Sequence, residues 1–226
     1  MSSISSFQRL FGLHEDFKQT PLNLSPKTFQ AFTLFQNKAK DQGIDLYVAS
    51  GFRSFSRQAS IWNAKAKGER DLIDDYGEKL DFNELSPTQV LFSILRWSAL
   101  PGFSRHHWGS DFDVIDQKAL AQNPDYKVEL IPSEYEAKGI FENLGAFLSR
   151  EISESPFFRP YEIDRGGVAI EPWHLSYAPE ANLLSDELTY EKAKDFIMSA
   201  HYQEILLKET VLEHFDEIYE RFIRPL

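Results

Sequence analysis

Apolar residues recur at helical spacing soon after the N-terminus: Phe29, Phe32, Phe35 and Ala39 share one face behind a Ser25-Pro26 start, and Gly43 ends the run. The period then changes. Residues 44–50, IDLYVAS, read as a short strand running into Gly51, and a second helix is expected from about 55 to 67, closed by Gly68. Ser86-Pro87-Thr88-Gln89 has the form of a capping box and opens a helix through Trp97, before Pro101-Gly102 breaks the chain. Residues 111–115 read as a strand. A second capping box at 133–136 predicts a helix to about Leu148. The segments FFRPYEID (157–164) and VAIEPWHLSY (168–177) flank Asp164-Arg165-Gly166-Gly167, which predicts a β-hairpin with a glycine turn. From Ser185 on, the pattern is helical, with Val211, Phe215, Ile218, Tyr219 and Phe222 as a core-facing stripe.

This order of elements predicts an α+β fold: a small antiparallel sheet flanked by helices, with a helical C-terminal segment over about 185–226. The 226 residues show no break in composition, so one domain, 1–226, is expected. Residues 69–85 stand apart because they gather Glu69, Asp71, Asp74, Asp75, Glu78, Asp81 and Glu84, the composition of a solvated loop or a flap.

Composition narrows the function. With 42% hydrophobic residues, 19 of them Phe, a sizeable core is available. The formal charge of −11 argues against non-specific binding to nucleic acid or to an anionic membrane, since both need clustered Lys and Arg. Cysteine is absent, which removes disulfides, thiolate metal sites and cysteine nucleophiles. No run of about 18 apolar residues and no export signal is visible, so the reading is no membrane span and a cytoplasmic location. Nothing in the pattern sets an oligomeric state.

What chemistry remains rests on histidine and carboxylate. His14, His201 and His214 stand alone and read as surface or packing residues, whereas His106, His107 and His174 lie beside carboxylates. The stretch 104–113, SRHHWGSDFD, carries two histidines, a glycine that lets the backbone turn, and Asp111 and Asp113 on one face of the following strand. Either aspartate can join a histidine on a metal. The stretch 171–174, EPWH, adds Glu171 as a candidate proton acceptor and His174 as a further ligand. The HExxH helix and GxSxG elbow are both missing.

Three blocks, SGFRSFSRQ (50–58), SRHHWGSDFD (104–113) and EPWH (171–174), resemble in order the signature blocks of the VanY-type D-alanyl-D-alanine carboxypeptidases, members of the LAS group of zinc peptidases. The resemblance spans about 44–177 and implies Zn2+ held by His106, Asp113 and His174, with Glu171 as catalytic base. It implies that Arg53 faces the substrate's carboxylate and the reacting carbonyl, that Gln58 and Ser104 help build the cleft, and that Trp108 and Trp173 wall it. His107 is read as a non-ligand. Asp111 departs from the pattern, which usually has alanine there; it is expected to hydrogen-bond a ligand histidine or to compete for the metal. The implied substrate is a peptidoglycan stem peptide, muropeptide or precursor that loses a terminal D-alanine, by D,D- or L,D-cleavage. Two other readings stay open: a zinc endopeptidase of the same group, and a zinc-holding module that binds peptides without cutting them.

Overall fold

A computed structural model describes residues 4–75 and 77–224; positions 1–3, 76 and 225–226, which include one position of the acidic 69–85 segment and both ends of the expected domain, lie outside the described residues. The chain runs through α1 (Ser6–Leu10), α2 (Pro26–Asp41), β1 (Leu46–Ser50), α3 (Phe55–Ala66), α4 (Pro87–Trp97), β2 (Asp111–Asp116), α5 (Gln117–Gln122), α6 (Glu142–Glu151), β3 (Phe157–Phe158), β4 (His174–Tyr177), α7 (Ala178–Glu187), α8 (Tyr190–Met198), α9 (Lys208–Glu213) and α10 (Phe215–Ile218). The strands form one antiparallel sheet in the order β1-β2-β4-β3. The fold is therefore the expected α+β arrangement, with helices around a small sheet.

Local chemistry sets the helix starts. Ser25 caps α2 by accepting the Thr28 N–H at 3.2 Å, ahead of Pro26 in the first turn. At α4 the capping box is reciprocal: Ser86 Oγ accepts the Gln89 N–H, and Gln89 Oε1 accepts the Ser86 N–H. The box expected at 133–136 does not start a helix. Glu134 is buried and its carboxylate accepts the N–H groups of Glu129, Leu130 and Ile131, so it ties the preceding loop instead of capping. Only a short 3-10 turn, Pro132–Glu134, forms there, and α6 begins at Glu142.

The predicted hairpin is also shorter than its pattern. β3 pairs with β4 at Phe157↔Tyr177 and Phe158↔Ser176, and the residues between them form a long loop instead of extending both strands. Arg96 at the end of α4 holds that loop, donating to Asp164 at 3.0 Å and to the Gly167 carbonyl at 2.9 Å. Helical structure after the sheet starts at Ala178, ahead of the expected Ser185.

Two hydrophobic cores result. One joins Phe32 and Phe35 of α2 to Val48, Phe112, Val114 and Leu175 of the sheet and Phe147 of α6. The other joins Trp62 of α3 and Leu91 and Ile94 of α4 to Phe196, Val211, Phe215 and Ile218 of the C-terminal helices. Phe112 and Val114 thus belong to the first core, while Asp111 and Asp113 face the opposite way along β2. Among the described residues no helix is long and apolar enough to cross a membrane.

Candidate active site

Strand register brings the polar groups together. Asp113 lies between Ser50 of β1 and His174 of β4, so its neighbours on both sides come from the other two sequence blocks. His106 arrives from the 3-10 turn Arg105–Trp108, which Gly109 ends with φ 67°. A Cβ at Gly109 would sit 2.4 Å from the Phe17 ring, so this turn needs glycine for both conformation and space. Gly51 is required by crowding alone, since a Cβ there would lie 2.5 Å from the Leu22 carbonyl oxygen. Its own carbonyl accepts a hydrogen bond from His106 Nδ1 at 2.9 Å.

That bond leaves His106 Nε2 free to face Asp113, 3.4 Å from Oδ2. On the other side, His174 Nε2 donates to Asp111 at 3.3 Å, and its Nδ1 lies 3.2 Å from Asp113 Oδ1 and 3.5 Å from Glu171. One donor atom from each of His106, Asp113 and His174 falls within 4.8 Å of the others. Asp113 Oδ1 and His174 Nδ1 are buried and have no hydrogen-bond partner, although they stand close. Unpartnered buried acceptors are costly in an ordinary core. Two histidine nitrogens and a carboxylate, converging and with two of their atoms unsatisfied, are a donor set that fits a divalent metal such as zinc.

Asp111 is placed differently. Arg105 Nε donates to it at 2.7 Å, Ser110 Oγ donates at 2.7 Å, and His174 supplies a third bond. Arg105 also donates to Ser176 and lies against the rings of Trp108 and Phe158. The extra carboxylate therefore has its own counter-charge and turns one ring nitrogen of His174 outward, leaving the other for the site. It belongs to no metal-ligand cluster among the described residues.

His107 points away. Its Nε2 accepts the Gly102 N–H and its Nδ1 donates to the Arg53 carbonyl at 2.5 Å, so both nitrogens are used. Burial pushes its pKa down to about 3 and it stays neutral.

Electrostatics follow from burial among these charges. Burial drives His106 down to about 4 against the pull of Asp113. Burial lowers His174 too, but Asp111 and Asp113 outweigh it and hold that imidazole up at about 9. For Asp113 burial raises the pKa, yet His106, His174 and Arg53 bring it below the ordinary value. Glu171 goes the other way: burial and the Asp113 charge push its carboxyl up to about 7, with His174, Arg53 and Lys65 opposing. A carboxyl near 7 is suited to taking and returning a proton at neutral pH.

These groups open onto a cleft of about 320 Å³ whose lining includes Arg53, Ser104, His106, Asp113, Glu171, Trp173 and His174. Gln58 is fully buried behind it. Gln58 Oε1 accepts from Arg53 at 2.9 Å while its amide donates to Ser98 and to the Ala99 carbonyl, so it fixes the guanidinium. Trp108 does not line the cleft; its indole donates to the Leu10 carbonyl and its ring lies under Arg105. Sequence reasoning missed Tyr161, whose ring stands 5.1 Å from His174, as well as Arg105 and the cleft residues Lys65, Ile73 and Trp97. Arg105 had a signal: an additional aspartate on a buried face needs a cation, and Arg105 stands six residues before it.

Residues 21–180 match VanY, D-alanyl-D-alanine carboxypeptidase, and the chain belongs to this family. It is 49% identical over 77 residues to an uncharacterized protein of Haemophilus influenzae, covering 34% of this chain and 53% of that protein. A second uncharacterized protein of the same organism is 31% identical over 122 residues, covering 53% of this chain and 89% of that protein. The chain thus spans about half the length of the first of these relatives. Among solved structures, VanYB in complex with D-alanine-D-alanine aligns with a TM-score of 0.49 at 18% identity, over 76% of this chain and 82% of that one. The LdcB LD-carboxypeptidase aligns with a TM-score of 0.49 at 20% identity, over 74% and 65% of the two chains.

Proposed function

We propose that this protein is a zinc-dependent carboxypeptidase that removes a terminal D-alanine from peptidoglycan stem peptides or their precursors. The observation that carries this reading is the set of converging donors of His106, Asp113 and His174, two of them buried without partners, beside a carboxyl whose pKa is raised to about 7. His106, Asp113 and His174 would hold the metal. When bound, zinc polarises a carbonyl and makes a water acidic enough to lose a proton near neutral pH.

The remaining work falls to side chains of this chain. Glu171 takes a proton from the attacking water as oxygen bonds to the carbonyl carbon. It then delivers that proton to the amine nitrogen as the C–N bond breaks. Arg53, held in place by Gln58, sets a fixed positive charge beside the carbonyl oxygen as negative charge develops there. Asp111 keeps His174 in one orientation and Ser104 and Trp173 shape the cleft.

The test is mass spectrometry of two peptides incubated with metal-loaded protein, with and without chelator. One ends in D-Ala-D-Ala; the other is a tetrapeptide ending in a diamino acid and D-Ala. Chelator-sensitive loss of one alanine is expected, and the responding peptide names the bond. Cleavage only at internal bonds would replace this reading with an endopeptidase, and binding without cleavage would replace it with a peptide-binding module.

A further inference from the structure

Two side chains that line the cleft carry hydrogen-bond donors that the chemistry above does not use. Lys65 of α3 lines it and, among the described residues, its side chain makes no hydrogen bond or ion pair. Trp97, the last residue of α4, lines it as well, and its indole N–H is buried without a partner. Both are carried by rigid elements. Lys65 lies two turns beyond Gln58 on the same face of α3, and Gln58 in turn bonds Ser98 and Ala99 directly after Trp97. The segments that carry Arg53, Lys65 and Trp97 are therefore tied together through Gln58.

The third neighbour is Ile73, brought to the cleft by the acidic segment. That segment is anchored: Leu72 is buried in the core, Ile73 bridges to Lys79, and Asp75 pairs with Arg96 at 2.6 Å. These contacts hold Ile73 at the cleft.

We infer that Lys65 and the Trp97 indole N–H together seat the free carboxylate of the substrate's terminal residue, with Ile73 covering that residue's side chain. The inference rests on the carboxypeptidase reading and deepens it. A carboxylate offers two oxygens, one for each unpartnered donor, and a small apolar residue suits the surface beside them. Arg53 is left to the reacting carbonyl. Burial, with Arg70 and Arg53 nearby and Glu171 opposing, lowers the Lys65 ammonium to about 8, so it is charged at neutral pH while poorly solvated. An incoming anion relieves that cost.

The experiment compares a peptide ending in a free D-alanine carboxylate with the same peptide ending in a carboxamide. Binding is read by calorimetry in a Glu171→Gln background, and turnover in the otherwise unaltered protein. The parent is expected to prefer the acid. Lys65→Met should weaken binding of the acid about tenfold or more and leave the amide within about twofold, while Lys65→Arg keeps the preference. Trp97→Phe, which deletes the N–H and keeps an aromatic ring, should weaken the acid about threefold. In turnover the Lys65→Met loss should fall on KM, with kcat near the parent value. Retention of the full acid preference by Lys65→Met, with its melting temperature and metal content unchanged, would overturn the inference. A parent that cuts acid and amide equally well would overturn it too, leaving the hydrolytic reading intact. A parent that neither binds nor cuts either peptide would overturn both.

Discussion

Two ends of one short polar face on β2 are built to opposite plans. Asp111 and Asp113 are both buried, stand two residues apart and point the same way. At the Asp111 end every oxygen is answered: Arg105, Ser110 and His174 all donate to it, and the arginine is itself packed between two rings. At the Asp113 end an oxygen and a histidine nitrogen face each other at 3.2 Å as an ion pair, and neither makes a hydrogen bond. Proteins tolerate buried charge in the first form because the pairing offsets desolvation. The second form leaves two buried polar atoms without a hydrogen bond and open to a ligand. Burial and residue type are the same at both ends; whether partners are present separates support from site.

The largest effect should come from the open end. Replacing Glu171→Ala is expected to reduce turnover by about a thousandfold or more while the bound metal, read by elemental analysis, is retained. Asp113→Ala should instead lose the metal. If the Glu171 variant loses its metal as well, the division between base and ligand is wrong.

At the closed end the dissociation reverses. Asp111→Ala leaves the Arg105 guanidinium, 11% exposed, without its counter-charge and should cost about 3 kcal/mol in urea unfolding of the metal-free protein. Metal affinity should fall about 10- to 100-fold, since His174 loses the bond that orients it. Adding Arg105→Leu should recover much of the stability and none of the affinity. Recovery of both would mean that Asp111 acts only through Arg105.

That contrast explains what could be read from the chain alone. That His106, Asp113 and His174 would come together was legible because each sits in a short block whose residue types are rare together, and local capping chemistry marked α2 and α4. The strand pairing that joins the blocks was not legible, because register depends on contacts between segments far apart in sequence. The same blindness produced the errors. Ser133 and Glu134 have the spacing of a cap, yet Glu134 bonds backbone groups upstream, and Trp108 sits beside a site residue while its ring lies against Arg105. Lys65 and Trp97 fall in ordinary helical patterns, so only the packing of α3 and α4 around Gln58 reveals them.

A smaller effect separates the ends by pH. Glu171 has its carboxyl raised to about 7 against an ordinary 4.5. A raised acid binds its proton more tightly in the native state, so its stabilising contribution is complete below about pH 4.5 and is lost as pH climbs through 7. Metal-free wild type should therefore lose on the order of 2 kcal/mol relative to Glu171→Gln across that window, in chelator, by urea titration. Asp111 is held well below the carboxylate range: burial raises it, but Arg105 and His174 overcome that. It should contribute no difference there. A flat comparison would show that Glu171 is more hydrated than its 14% exposure suggests.

The smallest expected change concerns Trp108, which sequence position assigns to the site and structure assigns to the closed end. Its indole N–H donates to the Leu10 carbonyl and its ring supports Arg105. Trp108→Phe removes one hydrogen bond and part of a cation–π contact, a loss of about 1–2 kcal/mol in thermal or urea unfolding. Because the ring stands outside the cleft, kcat/KM should stay within about twofold of wild type. The matching change at Trp173, which does line the cleft, should move KM instead. Equal kinetic losses from both would place Trp108 in contact with substrate and would break the boundary drawn between the two ends.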